Sequence, residues 1–209
     1  MIELLHQDCM TYMKGCEDNA FDLAIVDPPY GIGNFIPQNR ASNGNKISKE
    51  VKWNDDTPKT IYFDEMVRVS NRQIIWGANY YNCFPDIGGA VVWDKGDGNP
   101  KFSRCEIASL SFQKRVDYVL VNWQAGFYRE QFGVQIHPCQ KPVKLYEWLL
   151  SNYAKEGDRI LDTHLGSGSS AIAAHYGQFD FVGMEIDKDY YDAAVKRFAD
   201  ETSQIDLFA

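Results

Sequence analysis

The stretch from residue 159 to residue 185 constrains the fold more than any other part of the chain. It opens on Arg159-Ile160-Leu161-Asp162 and turns through Thr163-His164-Leu165-Gly166-Ser167-Gly168-Ser169-Ser170. After a helix it reaches Phe179-Asp180-Phe181-Val182-Gly183-Met184-Glu185. An apolar run, a glycine-bearing turn, a helix and a second apolar run form the strand–helix–strand unit of a parallel sheet. Such a turn lets a small ligand approach the backbone closely. The acid about twenty residues beyond the turn, Glu185, stands where a carboxylate holds ribose hydroxyls in dinucleotide-type sites. Gly166-Ser167-Gly168 lacks the third glycine of the nicotinamide-cofactor fingerprint.

Other apolar runs bounded by turn residues, at 2–5, 22–26, 73–76, 90–93, 106–112 and 118–121, read as buried strands. Two helical stripes accompany them. One is Tyr146, Leu149, Leu150 and Tyr153, entered at Lys141-Pro142 and stopped before Gly157-Asp158; the other is Tyr191, Ala194, Val195 and Phe198. Strand and helix alternate, so the class is α/β, with helices covering the sheet. The strands between 90 and 121 follow one another without a helical pattern between them, which predicts a mixed sheet, antiparallel at one edge. At 209 residues, 44% hydrophobic, the chain suits one domain, 1–209. Its longest unpatterned segment is 31–58, the length of a lid or binding loop.

No apolar run approaches membrane-spanning length and the first residues lack a secretory pattern, so a cytoplasmic protein is expected. Five cysteines, at 9, 16, 83, 105 and 139, stand at no zinc spacing. The pairs His6/Cys9 and His137/Cys139 lack a partner pair, so no metal is expected. The net charge of −8 argues against a polyanion partner until its distribution is read. Residues 156–209 hold eleven acids and four bases, while Arg40, Lys46, Lys49 and Lys52 face only Glu50 within 31–53. That segment suits either a solvated loop or a phosphate contact.

The second chemical signature is Asp27-Pro28-Pro29-Tyr30, directly after the strand at 22–26. The exocyclic amine of an aromatic base is a poor nucleophile, because its lone pair is delocalised into the ring. A carboxylate and a carbonyl that accept its two hydrogens draw the nitrogen out of conjugation and take up the proton it sheds. Asp27 and the Pro28 carbonyl fit those roles. The prolines, Pro28 and Pro29, hold that carbonyl outward, and Tyr30 can stack on a base taken out of the helix. The plainer reading is a tight turn after a core strand.

With these two signatures the chain resembles the amino-group DNA methyltransferases, and among them the circularly permuted group whose catalytic tetrad precedes the cofactor loop. The resemblance covers nearly the whole chain. Asp27-Pro28-Pro29-Tyr30 is similar to the tetrad, and Asp162 through Ser169 (Asp162, Thr163, Gly166, Ser167, Gly168, Ser169) to the cofactor loop. His137-Pro138-Cys139-Gln140-Lys141-Pro142 is similar to the segment lining the methionine end of the cofactor, which marks His137, Gln140, Lys141 and Pro142. In Gln7-Asp8-Cys9 the acid and Cys9 match a cofactor-adenine contact. Ile186 adjoins Glu185, and Asp27 borders the cofactor as well as the base. Trp93-Asp94-Lys95 and 102–112 look like the later catalytic strands.

The resemblance implies a Rossmann-like methyltransferase fold, S-adenosylmethionine as cofactor and double-stranded DNA as substrate. It implies base flipping and direct in-line transfer without a covalent enzyme intermediate. The aspartate form of the tetrad favours adenine N6 over cytosine N4. Two departures stand out: Thr163-His164-Leu165 replaces the usual proline and phenylalanine, and the target-recognition stretch, 113–136, is short. Arg115, Trp123, Tyr128 and Arg129 are candidates there for base contact, or for core or dimer packing. His164 is expected to pack under the glycine turn. Methylation of RNA or of a protein glutamine, a non-catalytic subunit role, a homodimer and restriction or phage partner proteins stay open.

Overall fold

A computed structural model describes residues 1–33, 54–81, 88–96, 103–123 and 136–203. Every expected apolar run forms a strand: β1 (Ile2–His6), β2 (Leu23–Val26), β3 (Gln73–Trp76), β4 (Gly89–Asp94), β5 (Cys105–Leu110), β6 (Val116–Leu120), β7 (Arg159–Asp162) and β8 (Asp180–Glu185). They make one eight-stranded sheet in the order β1-β8-β7-β2-β3-β5-β4-β6. β1, β8, β7, β2 and β3 run parallel. β5 is antiparallel to both β3 and β4, whereas β6 runs parallel to β4.

The sheet is therefore mixed, but the reversed strand is not at the edge as expected. It is inserted between β3 and β4, and burial explains the placement. Ala108, Ser109 and Leu110 of β5 are buried, whereas Val116, Tyr118 and Leu120 of β6 are exposed. A strand with one wet face is the one an edge tolerates.

Alternate residues of each strand feed two cores, as a pleated sheet requires. Leu23 and Ile25 of β2, Ile160 of β7 and Phe181 of β8 join one core with helices α4 (Val143–Tyr153) and α5 (Ser169–Tyr176). Ala24, Val26, Leu161 and Val182 join the other with α1 (Cys9–Lys14) and α2 (Thr60–Val69). A fully buried aliphatic side chain contributes roughly 1.5–3 kcal/mol, so each helix is held mainly by its inner stripe. In α4 that stripe is Leu145, Tyr146, Leu149, Leu150 and Tyr153, entered from an extended Pro142.

The last helix, α6 (Lys188–Thr202), is capped by the Asp187 carboxylate on the amides of Asp189 and Tyr190. Its inner face is rotated from the expected stripe: Tyr190, Ala194 and Arg197 are buried and Val195 is 36% exposed. Arg197 takes an inner place because its guanidinium reaches the Ser167 carbonyl at 3.0 Å and Ser169 Oγ at 2.9 Å. The short α3 (Ala78–Tyr81) follows β3.

The connection leaving β7 crosses one face through α5, and the one entering β3 from β2 crosses the other through α2. Neighbouring strands whose connections diverge open a crevice beyond their carboxyl ends. At that edge β1, β8, β7 and β2 deliver Asp8, Glu185, the glycine turn and Asp27 side by side.

Candidate active site

The glycine turn is built by its backbone. Gly166 and Gly168 have φ of 54° and 77°, a region costly for residues with a Cβ. The Gly166 amide donates to Glu185 Oε2 at 3.0 Å and the Asp187 amide to Oε1 at 2.9 Å. Burial raises the Glu185 carboxyl above its usual range. Asp162 accepts from Ser170 Oγ at 2.6 Å and from the His164 amide at 3.0 Å, and burial pushes it up to about 7. Ser169 donates to the Lys141 carbonyl at 2.7 Å, and Ser167 Oγ lies 3.1 Å from Ser169 Oγ. These two hydroxyls are turned inward, where they hold the turn.

A cavity of about 100 Å³ is lined by Gln7, Asp8, Cys9, Thr163, His164, Met184, Glu185 and Ile186. Asp8 also caps α1, accepting from the Thr11 amide at 2.8 Å. A second, larger space of about 310 Å³ shares Cys9 and His164 and adds Pro29, Thr57, Ile61 and Tyr62. Carboxylates beside Met184 and Ile186 suit a ligand with hydroxyls on one part and a flat apolar ring on another.

His164 does not pack under the turn. Its ring meets Tyr62 edge-on, with centroids 5.4 Å apart, and Nδ1 lies 2.9 Å from Thr163 Oγ1. Leu165 takes the inner position, 4% exposed, against Gly183. The His137 ring stands over Gly166 and crosses Tyr190 at 4.5 Å. Burial lowers both His137 and His164 to about 4, with the Lys141 ammonium assisting at His137. Gln140 is 2% exposed, accepts the Ile136 amide at 3.0 Å and lines neither cavity, and Pro142 serves as the entry to α4.

At the end of β2 the tetrad is held from three sides. The Asn54 side chain accepts the Tyr30 amide at 2.8 Å and donates to the Gly33 carbonyl at 3.0 Å. The Tyr81 hydroxyl donates to the Pro28 carbonyl. The Tyr30 ring stacks on Tyr80 with centroids 4.9 Å apart and planes 16° apart. The Tyr30 hydroxyl donates to Asp27 Oδ1 at 2.6 Å and lies 3.1 Å from Glu106 Oε2.

A buried charge cluster surrounds this hydroxyl. The Lys141 ammonium, 5% exposed, donates to Asp27 Oδ2 and pairs with Glu106 Oε2 at 3.1 Å. Lys95 binds the other Glu106 oxygen at 2.5 Å. Two cations and two anions thus share one pocket, which offsets the cost of burying each. Burial opposes the Glu106 anion, but the two ammonium groups outweigh it and hold the carboxyl at about 2. Asp27 stays above the usual carboxylate range, raised by burial and by Glu106 against the pull of Lys141.

Site roles for Asn54, Tyr62, Tyr81, Lys95, Glu106 and Arg197 emerge only from the structure. Tyr62, Met66 and Val69 are all buried in α2 at helical spacing, a legible signal. Glu106 is an acid within a run destined for burial, and such a charge implies a partner. Of the recognition candidates, Arg115 pairs with Asp117 at 2.6 Å. Trp123 donates to the Gln140 carbonyl at 2.8 Å and lies under Lys95, a packing role. Arg40, Lys46, Lys49, Glu50, Lys52, Cys83, Phe102, Tyr128 and Arg129 lie outside the described residues. Among the described residues no three His, Cys, Asp or Glu side chains are grouped to hold a metal ion, and no helix is long and apolar enough to cross a membrane.

The chain is 23% identical over 212 aligned residues or more to curated methylases; one is the type II methyltransferase M2.MboI of Moraxella bovis, matched over 93% of this chain and 86% of that protein. The solved structure of the M1.HpyAVI-SAM complex shares the fold, with a TM-score of 0.60 at 20% identity, covering 94% of this chain and all of that one. The cytosine-N4-specific PvuII DNA methyltransferase does so with a TM-score of 0.61 at 12% identity, over 94% and 86%. A sequence model of the N6/N4 DNA methylases matches residues 52–196, more than half of the chain, and the chain belongs to that DNA methylase family.

Proposed function

We propose that this chain transfers a methyl group from S-adenosylmethionine to the exocyclic N6 of adenine in double-stranded DNA. The observation that carries the reading is the pair of acceptors beyond β2: the Pro28 carbonyl, held by the Tyr81 hydroxyl, and the Asp27 carboxylate, linked through Lys141 to the glycine turn beyond β7. The cofactor supplies an electrophilic methyl group when bound. Asp8, Cys9, Thr163, Glu185 and Ile186 suit its adenosine part, since acids and apolar side chains line that cavity. Gly166, Ser167, Gly168, Ser169, Asp162, His137, Gln140, Lys141 and Pro142 form or support the turn beside it.

The chain's own residues then act on the amine. Asp27 and the Pro28 carbonyl accept its two hydrogens, and Asp27 takes the proton released once the nitrogen has gained a bond. Tyr30 offers a stacking surface that Tyr80 now covers, so an entering base displaces Tyr80 or stacks outside it. The aspartate in the first tetrad position supports adenine over cytosine.

The test is transfer of labelled methyl from S-adenosylmethionine to unmethylated genomic DNA, followed by nucleoside mass spectrometry. N6-methyladenosine is expected. N4-methylcytosine would overturn the base assignment, and absence of product despite cofactor binding would direct the search to RNA or protein.

A further inference from the structure

Lys141 lies in the segment whose resemblance marks it as a cofactor contact, yet its ammonium faces the other way. Its carbonyl accepts from Ser169 in the glycine turn, while its Nζ reaches Asp27, Tyr30 and Glu106. Glu106, on β5, divides its oxygens between the two lysines, Oε1 to Lys95 and Oε2 to Lys141. Lys95 in turn lies about 5.3 Å from the Trp93 ring centroid and 5.5 Å from that of Trp123. The cluster is thus anchored just past β4, on β5 and at the entry to α4, and Asp27 joins it from the end of β2.

We propose that Glu106 and Lys141 are positioning residues for methyl transfer: Glu106 holds the Lys141 ammonium against Asp27, to which Tyr30 also donates. The clamp orients the carboxylate, Lys141 favours its charged form, and the like charge of Glu106 raises its affinity for the one proton the amine sheds. This rests on the reading of Asp27 as the amine's acceptor. The balance is simple. As the new carbon–nitrogen bond forms, the bond from that carbon to the cofactor sulfur breaks and its electron pair stays on sulfur. The nitrogen proton passes to Asp27, and from there to water. Lys141 keeps all its protons throughout.

The groups facing Asp27 set its proton affinity in opposite directions. Lys141 favours the anion. Glu106 on β5 and Asp162 on β7 disfavour it as like charges, while Tyr30 donates to it. Tyr62 on α2 and Cys139 ahead of α4 are neutral neighbours, their hydroxyl and thiol pushed up by burial. Removing Lys141's charge should therefore raise the pH at which Asp27 titrates, and removing Glu106's charge should lower it.

The experiment compares the wild-type protein with Lys141→Met and Glu106→Gln, using Lys141→Arg and Glu106→Asp as conservative rescues should either fail to fold. The Asp27 carboxyl is followed by ¹³C NMR titration on the cofactor-free chain, with Asp27→Asn identifying its signal. Transfer is measured against pH in parallel. The expected result is an upward shift of about one pH unit or more in Lys141→Met and a downward shift in Glu106→Gln. The acid limb of kcat should move the same way, with kcat lowered about a hundredfold in Lys141→Met and cofactor Kd unchanged. Unmoved titration in both variants, or equal loss of cofactor affinity and kcat, would overturn the clamp. Wild-type protein that transfers nothing to DNA would instead refute the proposed function, while the titration still reports on the clamp.

Discussion

Single residues hold the tetrad in place as much as the tetrad itself does. Gly77 follows β3 with φ of 75°, and a Cβ built there would lie 2.3 Å from Tyr30 Cε1 and 2.6 Å from Cδ1. That ring is wedged between the backbone at Gly77 and its neighbours, and its hydroxyl reaches Asp27 only while it stays there. Gly77→Ala should therefore push the ring aside and cost about 1–3 kcal/mol of stability, partly from the positive φ. Methyl transfer should fall more than about tenfold, while cofactor affinity should hold, because Gly77 lines neither cavity. Chemical denaturation and calorimetric titration of S-adenosylmethionine check this; a parallel loss of cofactor affinity would show that Tyr30 supports the whole site. Asp27 and Tyr30 were legible as residues because they follow a strand directly. Glu106 and Lys141 were not legible as a pair: they lie far apart in sequence, on β5 and ahead of α4, and only the folded chain brings them within 3.1 Å.

At the scale of elements, the strands were readable because each is a short apolar run between turn residues. The position of β5 was not, since sequence order says nothing about which neighbour a returning strand inserts beside. α1 escaped for another reason: at six residues it is too short to show a full amphipathic stripe. Its cap shows how element and site share a residue. Asp8 accepts the Thr11 amide and hydroxyl at 2.8 and 2.9 Å while lining the smaller cavity. Asparagine caps about as well as aspartate but carries no charge. Asp8→Asn should thus leave stability within about 0.5 kcal/mol, whereas Asp8→Ala should cost about 1 kcal/mol. Both should weaken cofactor binding if the carboxylate itself meets the ligand. Thermal unfolding beside calorimetric titration separates the two roles, and an Asn variant with wild-type cofactor affinity would reduce Asp8 to a cap.

The whole molecule carries a net charge of −8, an awkward balance for an enzyme of DNA, so where its cations lie limits how a duplex can dock. Along α6 they are already engaged: Lys188 pairs with Asp192, Lys196 with Asp200 and Arg197 with Glu201. β8 and α6 together hold six acids against three bases, so that side disfavours phosphate. Near the tetrad, Lys95 and Lys141 are buried and neutralised by Glu106 and Asp27. In sequence, Arg40, Lys46, Lys49 and Lys52 cluster in the segment that follows the tetrad, and a phosphate contact there has a measurable consequence. Four such contacts release about four counterions, so the logarithm of DNA affinity should fall against the logarithm of salt with a slope near −4. Replacing all four with serine should flatten that slope to near zero and weaken binding to every DNA sequence alike, leaving cofactor affinity untouched. Fluorescence anisotropy across a salt series measures both quantities, and a slope that survives the replacement would place the phosphate contacts on another surface or on a second subunit.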